Sequence, residues 1–125
     1  MVKLLWVGAG GFLGAISRYI VSGLIYRVFG KGWFPLGTLA VNVIGCLLIG
    51  FLSGIAEDRQ IFSPELRLLV FIGILGGFTT FSTFGYEIFS FTRDGQIVSS
   101  MVNLFLHIGL GLGAVWFGFS ISKMI

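Results

Sequence analysis

The sequence predicts an all-α integral membrane protein with four transmembrane helices, the third broken near its middle. Three observations carry that prediction. Hydrophobic residues fill 56% of the 125 positions and charged residues only 10%, against about 25% charged in an ordinary soluble domain; the mean hydropathy is +1.02. Four apolar runs are each long enough to cross a bilayer, which takes about 20 helical residues. The third run is interrupted at GGFTTFSTFGYE (76–87) by two adjacent glycines, four Ser/Thr hydroxyls and three phenylalanines at three-residue spacing. A polar patch at membrane depth is costly. Packing and ion passage compete to explain it.

The spans are read in order along the chain. The first runs from about Leu4 to Ile25, broken only by Arg18, and its length without a small-residue cleavage site predicts a retained span rather than a cleaved signal peptide. Arg27, Gly30, Lys31, Gly32 and Pro35 mark a short loop. The second span runs from about Leu36 to Ala56 without a charge. Glu57, Asp58, Arg59, Ser63 and Pro64 form the next connection, with Ser63 as N-cap of the third span and Glu65 in its first turn. The third span covers about residues 66–91 and the fourth about 97–122, separated by Arg93, Asp94 and Gly95. This leaves no room for a soluble domain, so residues 1–125 read as a single four-helix domain in a cell membrane.

Gly10 and Gly14, Gly50 and Gly54, and Gly109 and Gly113 are each spaced four apart, the small-xxx-small pattern that lets helix backbones approach. Packing is the plain reading of all three pairs. VGAGGFLG (7–14) imitates a dinucleotide fingerprint, but Leu13 stands where the last glycine is required and no acidic residue follows at the expected distance. The net charge of +3 is spread over the span ends and gives no nucleic-acid surface. Cys46, the single cysteine, cannot form an internal disulfide.

With four spans, both termini and the middle loop share one side of the membrane. That side holds Lys3, Arg59, Arg67 and Lys123, and the opposite side Arg27, Lys31 and Arg93. The positive-inside rule sets orientation from such a bias, and here the bias is nearly absent. Four short spans are also few to enclose a pathway. Together these point to a homodimer of oppositely oriented copies; the alternative is one orientation fixed by something other than charge.

Intramembrane polar residues are the functional candidates. Arg18 sits about seven residues, roughly 10 Å at 1.5 Å each, from the end of its span; it either snorkels or forms a vestibule that draws in anions. Asn42 offers amide donors to a neighbouring helix or to a solute. His107, with Asn103 one turn earlier, satisfies an interhelical bond or lines a path. Glu87 is the only acid in any span. No nucleophile–base pair, metal cluster, carboxylate pair or phosphate loop is recognisable in the sequence, which points away from an enzyme.

The midpoint of the third span falls near Phe78. A break at the glycine and threonine pairs frees carbonyls between Gly76 and Thr80 that need other partners. In an antiparallel dimer two such breaks meet on the two-fold axis, where converging carbonyls suit a hard monovalent cation such as Na⁺. Phe81 and Phe84 share a helix face, as do Thr80, Thr83 and Glu87. The positive edge of a phenyl ring favours an anion, and the Ser82 and Thr83 hydroxyls donate hydrogen bonds. By periodicity alone, a lipid-facing or packing face in a chain with 14 phenylalanines remains the simpler alternative.

GTLAVN (37–42) followed by GGFTTFSTF (76–84), with Arg18 after a glycine-rich first span, resembles the Fluc fluoride channels, also called the CrcB family. The resemblance covers length, span number, loop lengths and motif order. It implies a dual-topology antiparallel homodimer in the bacterial inner membrane that conducts fluoride passively, relieving fluoride toxicity, with a structural Na⁺ at the dimer centre. By motif match, Phe81, Phe84 and Asn42 correspond to pore-lining residues, Ser82 and Thr83 to a polar track along the ion path, and Gly76 and Thr79 to the carbonyl ligands of the Na⁺. Arg18, Glu87, Thr38, His107 and Asn103 are vestibule or supporting candidates. Gly85 stands where the family often has serine, removing one hydroxyl of the outer track. The competing reading is a small dual-topology, proton-coupled exporter of organic cations, for which Glu87 is the one candidate carboxylate; a third is a noncatalytic assembly subunit.

Overall fold

A computed structural model describes residues 1–59 and 61–125. The described residues form helices joined by short turns, and four segments are long and apolar enough to cross a membrane. Helix α1 spans Val2–Phe29 and α2 spans Leu36–Arg59. The third span is composite: a short α3 (Pro64–Arg67), a π-helical run (Leu68–Leu75), a single turn α4 (Gly76–Phe78), a break, then α5 (Phe81–Arg93). Helix α6 (Ile97–Ser122) completes the chain.

Each predicted span lies within one of these four apolar segments, and the first three segments extend beyond it. Helix α1 continues one turn past Ile25, so Arg27 lies in its last turn rather than in the loop, where a cation faces the negative end of the helix dipole. The loop begins instead at Gly30, whose φ of 77° lies in the region open to glycine. Helix α2 likewise runs on through Glu57 and Asp58 to Arg59. At the third span Ser63 caps as expected, its hydroxyl accepting from the Leu66 N–H at 3.2 Å, with Pro64 at the first helical position.

Glycines set how closely the helices pack, because lipid supplies no hydrophobic drive between them. Helix α1 lies against the first half of the third span. A side chain at Gly10 or Gly14 would strike the carbonyls of Leu69 or Ile74, and one at Gly77 would crowd the Gly11 carbonyl. Helices α2 and α6 make the most extensive pairing, where Gly50 faces the Val115 carbonyl and Gly118 the Leu47 carbonyl. Two of the three predicted glycine pairs are therefore packing devices. At Gly109 and Gly113 nothing among the described residues lies within 4 Å of the space a side chain would occupy.

Lys123 ties the end of α6 to α2, pairing with Asp58 and reaching Glu57 at 3.8 Å. The interior is small and partly polar. Leu39, Val41, Ala56, Leu75, Phe78 and Phe84 are buried, and so are Thr38, Thr80, Ser100, Asn103 and Ser122. Buried polar side chains need hydrogen-bond partners, and those of Thr38, Thr80 and Asn103 form the candidate site.

Candidate functional site

The break in the third span falls at Thr79 and Thr80, both extended (φ −87°, ψ 160° and φ −148°, ψ 108°). It lies just beyond the glycine pair, not at it: Gly76 and Gly77 remain helical. Side chains redirect the backbone here. The Thr80 N–H, which a continuous helix would give to the Gly76 carbonyl, donates instead to Asn42 Oδ1 at 2.8 Å. The Thr83 N–H, due to the Thr79 carbonyl, donates to Thr80 Oγ1 at 3.2 Å, making Thr80 the N-cap of α5. Asn42 then completes its hold on Thr80, Nδ2 donating to the Thr80 carbonyl at 3.1 Å.

The carbonyls of Gly76 and Thr79 thus lose their helical donors, and no backbone bond among the described residues reaches the Gly77 or Phe78 carbonyl across the break either. Gly76 is exposed, with only the Phe71 carbonyl oxygen, at 4.0 Å, near the position of an added side chain. Arg18 does not simply snorkel: its Nη1 donates to the Thr79 carbonyl at 3.3 Å, from one helix to the break of another. A carbonyl has a second lone pair, so this bond leaves acceptor capacity on Thr79.

A cavity of about 420 Å³ opens beside the break, lined by Asn42, Thr79, Thr80, Phe81, Phe84 and His107, with Gly76 and Cys46 on its wall. Its described lining carries no Asp, Glu, Lys or Arg. The two expected pathway phenylalanines are in contact, ring centroids 5.7 Å apart, but differently placed: Phe84 is 9% exposed and Phe81 is 81% exposed. Phe84 packs on the His107 ring at 4.2 Å between centroids. Ser82 and Thr83 lie on the exposed first turn of α5, their hydroxyls gathered around Thr80 Oγ1 at 3.4 and 2.9 Å.

A second polar group lies further along α5. Glu87 accepts from Thr38 Oγ1 on α2 and from Asn103 Nδ2 on α6, the latter at 3.4 Å. His107 Nδ1 lies 3.1 Å from the Asn103 carbonyl. Contacts therefore lead from Glu87 to the Asn103 side chain, and from the Asn103 backbone carbonyl through His107 to Phe84 and the cavity. Along that run Asn103 Oδ1 and His107 Nε2 are buried without a partner among the described residues.

The structure gathers Asn42, Gly76, Thr79, Phe81, Phe84 and His107 at one cavity, joins Thr38, Glu87 and Asn103 beside it, and ties Arg18 to the break. Sequence reasoning does not single out Thr80 as a site residue, although it holds the geometry by capping α5 and meeting Asn42 with both of its backbone polar groups. Its signal is a hydroxyl residue three positions before another inside an apolar span. Cys46, which the sequence shows only as an unpaired thiol, lines the cavity.

Comparison with known proteins places this arrangement in a family. Residues 5–119 match the model of the family described as "CrcB-like protein, Camphor Resistance (CrcB)". A protein of Chlorobium phaeobacteroides (strain BS1) named "Fluoride-specific ion channel FluC" is 50% identical over 121 residues, covering 97% of this chain and 93% of the relative. Proteins of the same name from Methylobacillus flagellatus and Geobacter sulfurreducens are each 42% identical, covering 99% and 100% of this chain and 97% and 100% of the relatives. On a match from near its first residue to near its last, the chain belongs to the CrcB-like family.

Proposed function

We propose that this protein is a fluoride-selective passive ion channel, not an enzyme, and that it lets the cell lose fluoride. The observation that carries the reading is the cavity at the broken span, which offers hydrogen-bond donors and ring edges with no fixed charge in its described lining. Conduction needs a site that replaces part of an ion's hydration without trapping it. Asn42 retains one amide hydrogen beyond the one it gives Thr80. The positive edges of Phe81 and Phe84 line the cavity, and the Ser82 and Thr83 hydroxyls lie beside Thr80 on the exposed first turn of α5, at the positive end of its dipole. Relatives across the full length carry the name of a fluoride-specific channel, and the physiology is coherent. Hydrogen fluoride crosses membranes neutral, dissociates inside, and leaves an anion that needs a path out.

The working form is a homodimer of oppositely oriented copies in the bacterial inner membrane, surrounded by lipid. The near-equal division of Lys and Arg between the two sides supports it. So does Phe81, which at 81% exposure lines a closed path only against a second copy. A Na⁺ at the dimer centre suits carbonyls freed by the break, since hard cations take oxygen ligands; we assign it Gly76 and Thr79 of each chain, and a second copy doubles the set. The ion holds the two breaks together, and the anion path depends on it through that geometry.

A proton-coupled exporter would want its carboxylate in the binding cavity. Glu87 instead accepts from Thr38 and Asn103 away from that cavity, which favours the channel. Expression in a bacterium lacking its own fluoride exporter tests the function in cells. Restored growth in fluoride at acid pH is expected, and continued sensitivity with the protein present in the membrane contradicts it.

A further inference from the structure

We infer that the outer face of α1, near its C-terminal end, holds the headgroup of an anionic phospholipid, and that Arg27 and Lys31 are the charges that select it. The inference needs only that the four apolar segments cross a membrane, and it goes beyond the channel reading without resting on it. An open groove of about 790 Å³ runs along this end of the helix, walled by Tyr19, Tyr26, Arg27 and Lys31 and by the apolar Ile20 and Leu24. Two cations and no carboxylate stand in its described lining. Neither cation has an ion pair among the described residues. The negative end of the α1 dipole is worth about half a charge, so two full positive charges leave the groove electropositive. Gly23 keeps the groove open: it is exposed, and nothing among the described residues lies within 4 Å of the space its side chain would occupy.

A lipid also needs a track for its acyl chain. Ile16, Ile20, Leu24 and Arg27 follow one another at steps of four, four and three residues, which puts them on one face of α1. The three apolar side chains on that face are 42%, 52% and 47% exposed. From Ile16 to Arg27 the helix rises about 16 Å, close to half of the ~30 Å hydrocarbon core. An acyl chain of one leaflet therefore lies on the apolar stripe while its phosphate meets Arg27 and Lys31, with Tyr26 as an interfacial aromatic beside them. The opposite face of α1 is the one that packs, Gly14 against the Ile74 carbonyl and Arg18 on the Thr79 carbonyl. No residue of α1 lines the central cavity, so a second copy seated over Phe81 leaves this face to lipid. The unpaired cations then choose among lipids. A phosphatidylglycerol headgroup offers them a net negative charge, whereas the choline of phosphatidylcholine cancels its own phosphate.

The test is binding of dioleoylphosphatidylglycerol or dioleoylphosphatidylcholine, titrated into the full-length protein in neutral detergent and counted by native mass spectrometry. Wild type should take one phosphatidylglycerol per chain at least about fivefold more tightly than phosphatidylcholine, at roughly a fivefold gain for each basic residue near an anionic headgroup. Arg27→Gln and Lys31→Gln should each weaken phosphatidylglycerol about fivefold, and together should erase the preference. Arg27→Lys should keep it. Gly23→Leu should weaken both lipids by filling the groove, with the helical circular dichroism unchanged. Equal wild-type affinity for the two lipids overturns the inference, and so does a preference that survives the double substitution or Gly23→Leu. Displacement of phosphatidylglycerol by millimolar inorganic phosphate also overturns it, because the charges would then serve a free anion rather than a lipid. Should the substituted proteins fail to fold, the wild-type comparison of the two lipids decides alone. Fluoride efflux is a separate readout, so loss of the lipid site leaves the channel reading standing.

Discussion

Asn42 holds Thr80 by both of its backbone polar groups, accepting from the N–H at 2.8 Å and donating to the carbonyl at 3.1 Å. One side chain on α2 thereby does what a neighbouring strand would do, satisfying extended backbone where water is absent. It also explains how the third span can break without leaving Thr80 unpaired. Asn42→Ala should cut fluoride efflux and lower stability in detergent by about 1–3 kcal/mol, the usual penalty for a buried polar group left alone. Unchanged efflux together with an unchanged melting temperature would show that neither bond matters.

Phe81 and Phe84 separate a role in the path from a role in the fold. Phe84→Ala should destabilise the protein by about 3 kcal/mol, the low end for truncating a buried phenylalanine, because its ring packs on His107. Phe81 is exposed within one chain, so Phe81→Ile should leave the helical circular dichroism unchanged, yet still reduce efflux. Full efflux in Phe81→Ile protein would remove that ring from the path.

Much of this is legible in the sequence, and the features that local patterns misplace share a cause. The four spans and the Ser63 cap come from local signals of hydropathy and capping chemistry. The same signals foresee a break across the glycine and threonine pairs, without distinguishing which of the two pairs opens. Gly77 is consumed in packing on α1, and the chain opens at Thr79–Thr80, where Asn42 from another helix captures the backbone. A partner 38 residues away leaves no mark in a local pattern. The same holds for Arg18, whose bond to the Thr79 carbonyl spans 61 positions. Spacing puts Phe81 and Phe84 on one face correctly, yet their unequal burial depends on α6, which supplies His107.

Gly118 and Gly109 lie on the same helix and should respond oppositely. Gly118→Ala places a methyl against the Leu47 carbonyl of α2 and should cost about 1–3 kcal/mol, the range for overpacking, read as a lower melting temperature. Gly109→Ala meets open space and should leave the contact between α2 and α6 intact, with unchanged helical circular dichroism. Equal losses in both would mean that the close approach of α2 and α6 is not what Gly118 provides.

The freed carbonyls of Gly76 and Thr79 predict a dependence on Na⁺. Protein purified and reconstituted throughout with N-methylglucamine in place of Na⁺ should lose thermal stability and conduct poorly, and both should return on adding Na⁺. Identical melting and efflux in protein that never met Na⁺ would dismiss the cation site while leaving the anion path untouched.

The central claim is tested most directly by anion efflux from liposomes containing the purified protein, with fluoride and chloride followed by ion-selective electrodes under the same voltage. The donor-lined, uncharged cavity at the broken span predicts rapid loss of fluoride with negligible loss of chloride. No fluoride loss from well-reconstituted protein, or chloride loss at a comparable rate, would contradict it.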